Sequence, residues 1–151
     1  MREKVSKNVQ VVMDYFKFCV DRKQTSRVGE FFAENTVIHR PDCEQPLQGL
    51  VDFEAKLKAC VTERYEHLTT SFQKIIEDND QVVVALTHQA SNSNMWKGFD
   101  VNGQNVTWTS LTYFRFNSEG KVVEEIVERD ELHMATQLGL RLTESNEASK
   151  E

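Results

Sequence analysis

The chain has 151 residues, 39% of them apolar, which suits one domain with a core of ordinary depth and leaves no room for a second. Its formal net charge is −6 and its pI is near 5.3, with no cluster of Lys or Arg, so nucleic acid and anionic membrane are poor partners. There is no amino-terminal apolar segment of signal-peptide type and no run near the roughly 18 apolar residues of a membrane span, so the expectation is a soluble cytoplasmic protein.

In chain order, Val5, Val9, Val12, Met13, Phe16, Cys19 and Val20 recur at steps of three and four, predicting an amphipathic helix over residues 3–22. Ser26 reads as the N-cap of a second, short helix carrying Val28, Phe31 and Phe32 and ended by Asn35. Residues 36–40 are β-prone and stop at Pro41, and 41–49 read as a loop. Phe53, Leu57, Cys60 and Val61 place a third helix over 52–63.

The period then changes to two. Residues 68–77 and 81–91 read as strands joined by Asp78-Asn79-Asp80, with Ser91 to Asn94 as a break and 95–101 as another short strand. Trp108 to Phe116 alternates as a strand, Asn117 to Gly120 supplies a turn, and the return strand 121–130 puts Val122, Glu124, Ile126, Glu128 and Asp130 on one face. A helix over 131–137 closes the pattern. Helices followed by a meander of strands mean α+β: a curved antiparallel sheet packed against three amino-terminal helices, with a hollow between the two layers. Residues 1–140 form the domain, and 141–151, nearly devoid of apolar residues, are expected to be a disordered tail.

Cys19, Cys43 and Cys60 are odd in number and widely spaced, so free thiols are expected, and the four histidines are too dispersed for a metal site. His88 shares a strand face with Val82, Val84 and Leu86, as a wall residue of the hollow or a hydrogen-bonded core histidine. Trp96, Trp108 and Phe114 are wall material for an apolar cavity or plain core, and the Tyr113 phenol is placed to donate to a developing enolate oxygen.

An ordered set of segments resembles a known family. Phe31-Phe32-Ala33-Glu34 leading to Val37 and His39, Gln48-Gly49 before the helix at Phe53, Asp80 to Val84, Gly98 with Gly103, and Phe114-Arg115-Phe116 through Gly120-Lys121-Val122-Val123-Glu124, Asp130 and Gln137-Leu138-Gly139 are together similar to SnoaL-like, polyketide-cyclase-related proteins. That family shares the cone-shaped fold of nuclear transport factor 2 and ketosteroid isomerase. The resemblance covers about residues 10–140 and implies a homodimer that binds a small apolar molecule, with no cofactor and no metal.

It also implies a site. Asp130 matches the carboxylate that acts as general base α to carbonyls in cyclisation or isomerisation, and His39 matches a histidine near the cavity mouth. A general base needs a partly desolvated carboxylate, whereas Asp130 also stands where it would cap the closing helix, a role that drives its pKa down. Ile126 occupies the place where the family has a Trp, which reshapes the pocket beside Asp130. Glu128 in place of an arginine removes the arrangement of epoxide hydrolases on this fold. Two functions stand: a cofactor-free cyclase or isomerase using Asp130, and a non-catalytic small-molecule-binding or dimerisation module.

Overall fold

The computed structural model describes residues 4–145. Helix α1 spans Lys7–Asp14, and Ser6 caps it by accepting the Val9 N–H through its hydroxyl at 3.2 Å. The rod does not end at Asp14. It continues as a π-helix, Tyr15–Asp21, in which the Arg22 N–H reaches the Lys17 carbonyl five residues back at 3.1 Å. This wider winding buries Tyr15, Phe16, Cys19 and Val20 together. Part of the 3–22 helix, at Glu3, lies outside the described residues.

The second predicted helix is a 3₁₀ turn, Thr25–Glu30, and strand β1, Phe32–His39, begins four residues before its expected start. Phe32 therefore faces the core from the strand's first position, and Phe31 from the end of the 3₁₀ turn. Asn35 sits within β1 instead of ending a helix. The expected loop after Pro41 contains a two-residue strand, β2, Leu47–Gln48, antiparallel to β1. Helix α2, Leu50–Glu63, buries Phe53, Leu57, Cys60 and Val61, the four residues whose spacing announced it.

Strands β3, His67–Asp78, and β4, Gln81–Trp96, form the first long hairpin. The polar run Ser91 to Asn94 does not break β4; the strand passes through it with shifts of register, then turns at Lys97 and Gly98, both at positive φ. What looked like a separate short strand, 95–101, is the end of β4, this turn and the start of strand β5, Phe99–Phe116. Gly120, at φ 79°, makes the turn into β6, Val122–Arg129, and helix α3 is Glu131–Gln137. The tail from 146 to 151 lies outside the described residues.

The sheet order is β2-β1-β6-β5-β4-β3. All neighbours are antiparallel except β1 and β6, which run parallel, a pairing the meander reading did not anticipate. The sheet is curved and unclosed, and the helices cover its inner face, so the architecture is α+β as the sequence indicates. Phe32, Phe53, Phe114 and Tyr15 meet at ring separations of 4.7–6.4 Å and form the centre of the core. No described helix is long and apolar enough to cross a membrane.

Candidate functional site

One irregularity decides what faces the hollow. Arg115 pairs with Glu124, but the next residue of β5, Phe116, pairs with Val122, so β6 carries one extra residue, Val123, as a β-bulge. Val122 faces inward with Phe116. Beyond the bulge the alternation is inverted, so Glu125, Val127 and Arg129 point inward opposite Phe114, Thr112 and Ser110. Glu124, Ile126 and Glu128 take the outer face.

The hollow enclosed by β4, β5, β6, the π-helix and α2 has a volume of about 70 Å³, room for a compact group and well below the roughly 300–1,000 Å³ of sites for drug-sized ligands. Its wall includes Tyr15, Phe16, Arg40, Tyr65, His88 and Trp108, with Glu125, Arg129 and Trp96. Glu125 is 1% exposed. Burial outweighs the attraction of the Arg40 and Arg129 charges and pushes its carboxyl up to about 7. Tyr15 lies close enough to feel that carboxyl, and burial together with it raises the phenol well above its ordinary value, so Tyr15 stays a hydrogen-bond donor.

A second layer of charge holds this interior. Asp42, its side chain 3% exposed, accepts Arg40 Nε at 3.0 Å and lies 3.2 Å from Arg129 Nη2 and 3.6 Å from Lys56 Nζ. The positive charges, Arg40 foremost, hold its carboxyl well below the usual range against the opposing effect of burial. Arg129 also reaches Glu131 Oε1 at 3.1 Å, and Glu131 Oε2 meets Lys97 Nζ at 2.8 Å, which ties the β4–β5 turn to α3. Arg40 follows β1 and Asp42 follows Pro41, a loop that sequence reasoning passed over because no short motif marks it. Cys43 and Cys60 approach Asp42 at 3.9 Å through their sulfurs, and both are free thiols, as is Cys19. No cluster of three metal-ligating side chains occurs among the described residues.

The anticipated site residues divide between two faces. His88, Trp96 and Trp108 line the hollow. Phe114 is fully buried beneath it, packed on Tyr15 and Phe16. The others lie elsewhere, Ile126 and Asp130 because of the bulge and Tyr113 because it alternates with the inward Thr112 and Phe114. Tyr113 is on the outer face with its hydroxyl donating to Gln81 Oε1 at 2.7 Å, and Ile126 pairs with it there. His39 is half-exposed and 3.4 Å from Glu124, which also receives Arg115 Nε at 3.5 Å. Asp130 is exposed and caps α3, accepting the His133 N–H at 2.9 Å. It borders a shallow outer groove with Gln73, Thr87, Thr109, Leu111 and Glu128, not the hollow. His67 and His133 are exposed.

Asp130→Ala is therefore expected to cost about 1 kcal/mol of stability, the ordinary worth of a cap, and to leave the hollow unchanged. Denaturant unfolding checks the first, and the His88 and Trp108 side-chain resonances check the second.

The family model described as SnoaL-like polyketide cyclase matches residues 10–138. The chain belongs to that family. Solved structures agree on the SnoaL fold. A SnoaL-like protein from a Jannaschia species superposes with a TM-score of 0.79 at 18% identity, over 94% of this chain and 100% of that one. TsrD from Streptomyces laurentii gives 0.77 at 17% identity, over 92% and 100%. A SnoaL-like polyketide cyclase from Agrobacterium tumefaciens gives 0.72 at 16% identity, over 89% and 100%. At these identities the likeness is one of fold. No match was found among curated protein sequences. Within this SnoaL-like chain the inward carboxylate of β6 is Glu125, and neither Asp130 nor His39 joins it.

Proposed function

We propose that the chain is a cofactor-independent acid–base enzyme that isomerises or cyclises a small carbonyl compound in the hollow, with Glu125 as the proton-transferring group. The observation that carries this reading is a fully buried carboxyl in a hollow whose wall also holds a protonated phenol, Tyr15. Near neutral pH such a carboxyl exists in both forms, the condition under which one group both removes and returns a proton. Glu125 takes the proton α to the carbonyl, the electron pair moves to oxygen, and Tyr15 donates a hydrogen bond to the developing enolate. Glu125 then returns its proton, either to a different carbon of the enolate, which completes the isomerisation, or to the alkoxide left when the enolate carbon attacks a second carbonyl of the same molecule, which completes the ring closure. Structures of this fold described as polyketide cyclases suggest polyketide cyclisation, but 70 Å³ favours a compact substrate or the reacting end of a longer one.

Exchange of α-hydrogens for deuterium, followed by NMR on small 1,3-dicarbonyl compounds, tests the reading without knowledge of the natural substrate. Wild type should accelerate exchange over buffer, with a rate that rises through about pH 7, and Glu125→Gln should lose roughly 10²- to 10⁴-fold. Exchange equal in the two proteins would sink the proposal.

A second reading, a homodimerising module, is favoured by the outer sheet face, where Ile76 and Leu111 are 62% and 58% exposed. Sedimentation as a monomer at micromolar concentration would remove it.

A further inference from the structure

His88 sits on β4 between two cross-strand partners, Thr70 on β3 and Trp108 on β5, with Phe16 of the π-helix against it. It is 8% exposed and belongs to the wall of the hollow. Its Nδ1 lies 2.9 Å from Thr70 Oγ1. That hydroxyl has a single hydrogen, and Asp21 claims it: Thr70 Oγ1 donates to Asp21 Oδ1 at 2.6 Å, while the Thr70 N–H donates to Asp21 Oδ2 at 2.9 Å. With its hydrogen committed, Thr70 Oγ1 meets Nδ1 as an acceptor. Nδ1 must then carry the ring proton, and Nε2 is left with its lone pair.

Its surroundings keep the ring neutral. Burial, with Arg129 and Arg40 as the facing cations, pushes the imidazole down to about 3, so it is neutral across the physiological range. In a neutral ring whose Nδ1–H is committed to Thr70, the free nitrogen Nε2 is an acceptor and not a donor. Its neighbours in the hollow differ: Arg40 and Arg129 are donors, Tyr15 keeps its proton, and Glu125 is committed to the proton transfer itself. His88 Nε2 is thus suited to read a donor on whatever enters.

We propose that Asp21 and Thr70 form a relay that locks His88 as the Nδ1–H tautomer, so that Nε2 selects ligands presenting an O–H or N–H group to the hollow. Joined to the acid–base reading above, on which this extension rests, the substrate class becomes a small carbonyl compound bearing a hydroxyl or existing as its enol. His88 is a positioning residue in that scheme; the proton moves through Glu125.

The tautomer and the selectivity can each be read without turnover. Long-range ¹⁵N–¹H spectra of imidazole-labelled protein should show His88 protonated at Nδ1 and bare at Nε2, unchanged from pH 5 to 8. Thr70→Val should release it to the other tautomer or a mixture, and Thr70→Ser should restore it. Pyrrole and furan, five-membered rings of like shape of which only pyrrole has a donor, are the binding probes. Pyrrole should bind wild type roughly threefold to tenfold tighter than furan, the worth of one neutral hydrogen bond, and the preference should vanish in Thr70→Val. An Nε2–H tautomer in wild type, titration of His88 between pH 5 and 8, equal binding of the two rings, or no pyrrole-induced shift at His88 would each overturn the proposal. A Glu125→Gln variant with undiminished exchange would end the proton-transfer reading and leave the tautomer and the ring preference as they are.

Discussion

Asp42→Ala should lower the unfolding free energy by about 3–5 kcal/mol, the cost of leaving buried positive charge without its partner. The carboxylate stands against Arg40 and Arg129, whose side chains are only 6% and 14% exposed, so water cannot replace it. Lys56, at 28%, is better placed to be solvated and adds less. The loss should be much smaller when the charges are removed together, as in Arg40→Met with Asp42→Leu, because the penalty comes from the orphaned guanidinium rather than from the absent pair. Urea midpoints of the two variants decide the matter, and a cost below about 1 kcal/mol for Asp42→Ala would show that the cluster is solvated. The pH response has the sign of a depressed carboxyl: the contribution of Asp42 is whole above its ordinary pKa near 3.8 and is lost as pH falls further.

The second expectation concerns two groups in the hollow whose effects oppose each other. Glu125 is raised from 4.5 to about 7, so between those values the folded protein holds a proton that the unfolded chain has released, and stability falls as pH rises. His88 is lowered from 6.5 to about 3, so between those values the unfolded chain holds the extra proton, and stability rises with pH. From pH 4.5 to 6.5 both act with slopes near 1.4 kcal/mol per pH unit and opposite sign. Wild type should therefore be almost flat there. Glu125→Gln removes one arm, and its stability should climb by about 3 kcal/mol across the same interval, then level off above pH 6.5. His88→Gln should show the reverse, a fall that ends near pH 7. Chemical denaturation at half-unit steps of pH would reveal this; a flat profile in Glu125→Gln would show that the His88 imidazole is not held down as described, and a flat profile in His88→Gln that the Glu125 carboxyl is not held up.

Much of the fold could be read from periodicity. The four apolar residues of α2 and the alternation of β5 from Trp108 to Phe116 depend on local spacing that burial on one face imposes, and the turn at Gly120 depends on a positive φ that side chains resist. The errors lie where tertiary structure overrides local signals. Phe32 looked helical and became the start of β1, because its pairing with Val122 of β6 is a contact across ninety residues that no window detects. Ser91 to Asn94 looked like a break because its side chains are polar, yet its backbone stays in the ladder through shifts of register.

The site was less legible than the fold for one reason. His88 and Trp108 pair with each other on stretches of β4 and β5 whose alternation is unbroken, and strand parity alone places them at the hollow; Trp96 reaches it beyond the register shifts of β4. On β6 the parity carried from Val122 would set Asp130 inside and Glu125 outside, and the bulge at Val123 reverses both. Nothing in Lys121-Val122-Val123-Glu124-Glu125 marks the bulge, since it contains no glycine or proline. The Asp21–Thr70–His88 relay joins residues 49 and 18 positions apart, and it too is visible only once the strands are paired.

The π-helical span Tyr15–Asp21 makes azimuth, rather than composition, the vulnerable property of the first helix. A chain that lost one residue there would rewind toward the α form with its apolar content nearly intact, and the rod would still cover the sheet. Each residue of an α-helix accounts for about 100° of rotation, however, so such a deletion would turn Asp21 away from Thr70 while leaving α1 in place. Length changes at this point would therefore separate folding from ligand selection, which substitutions in the core do not do.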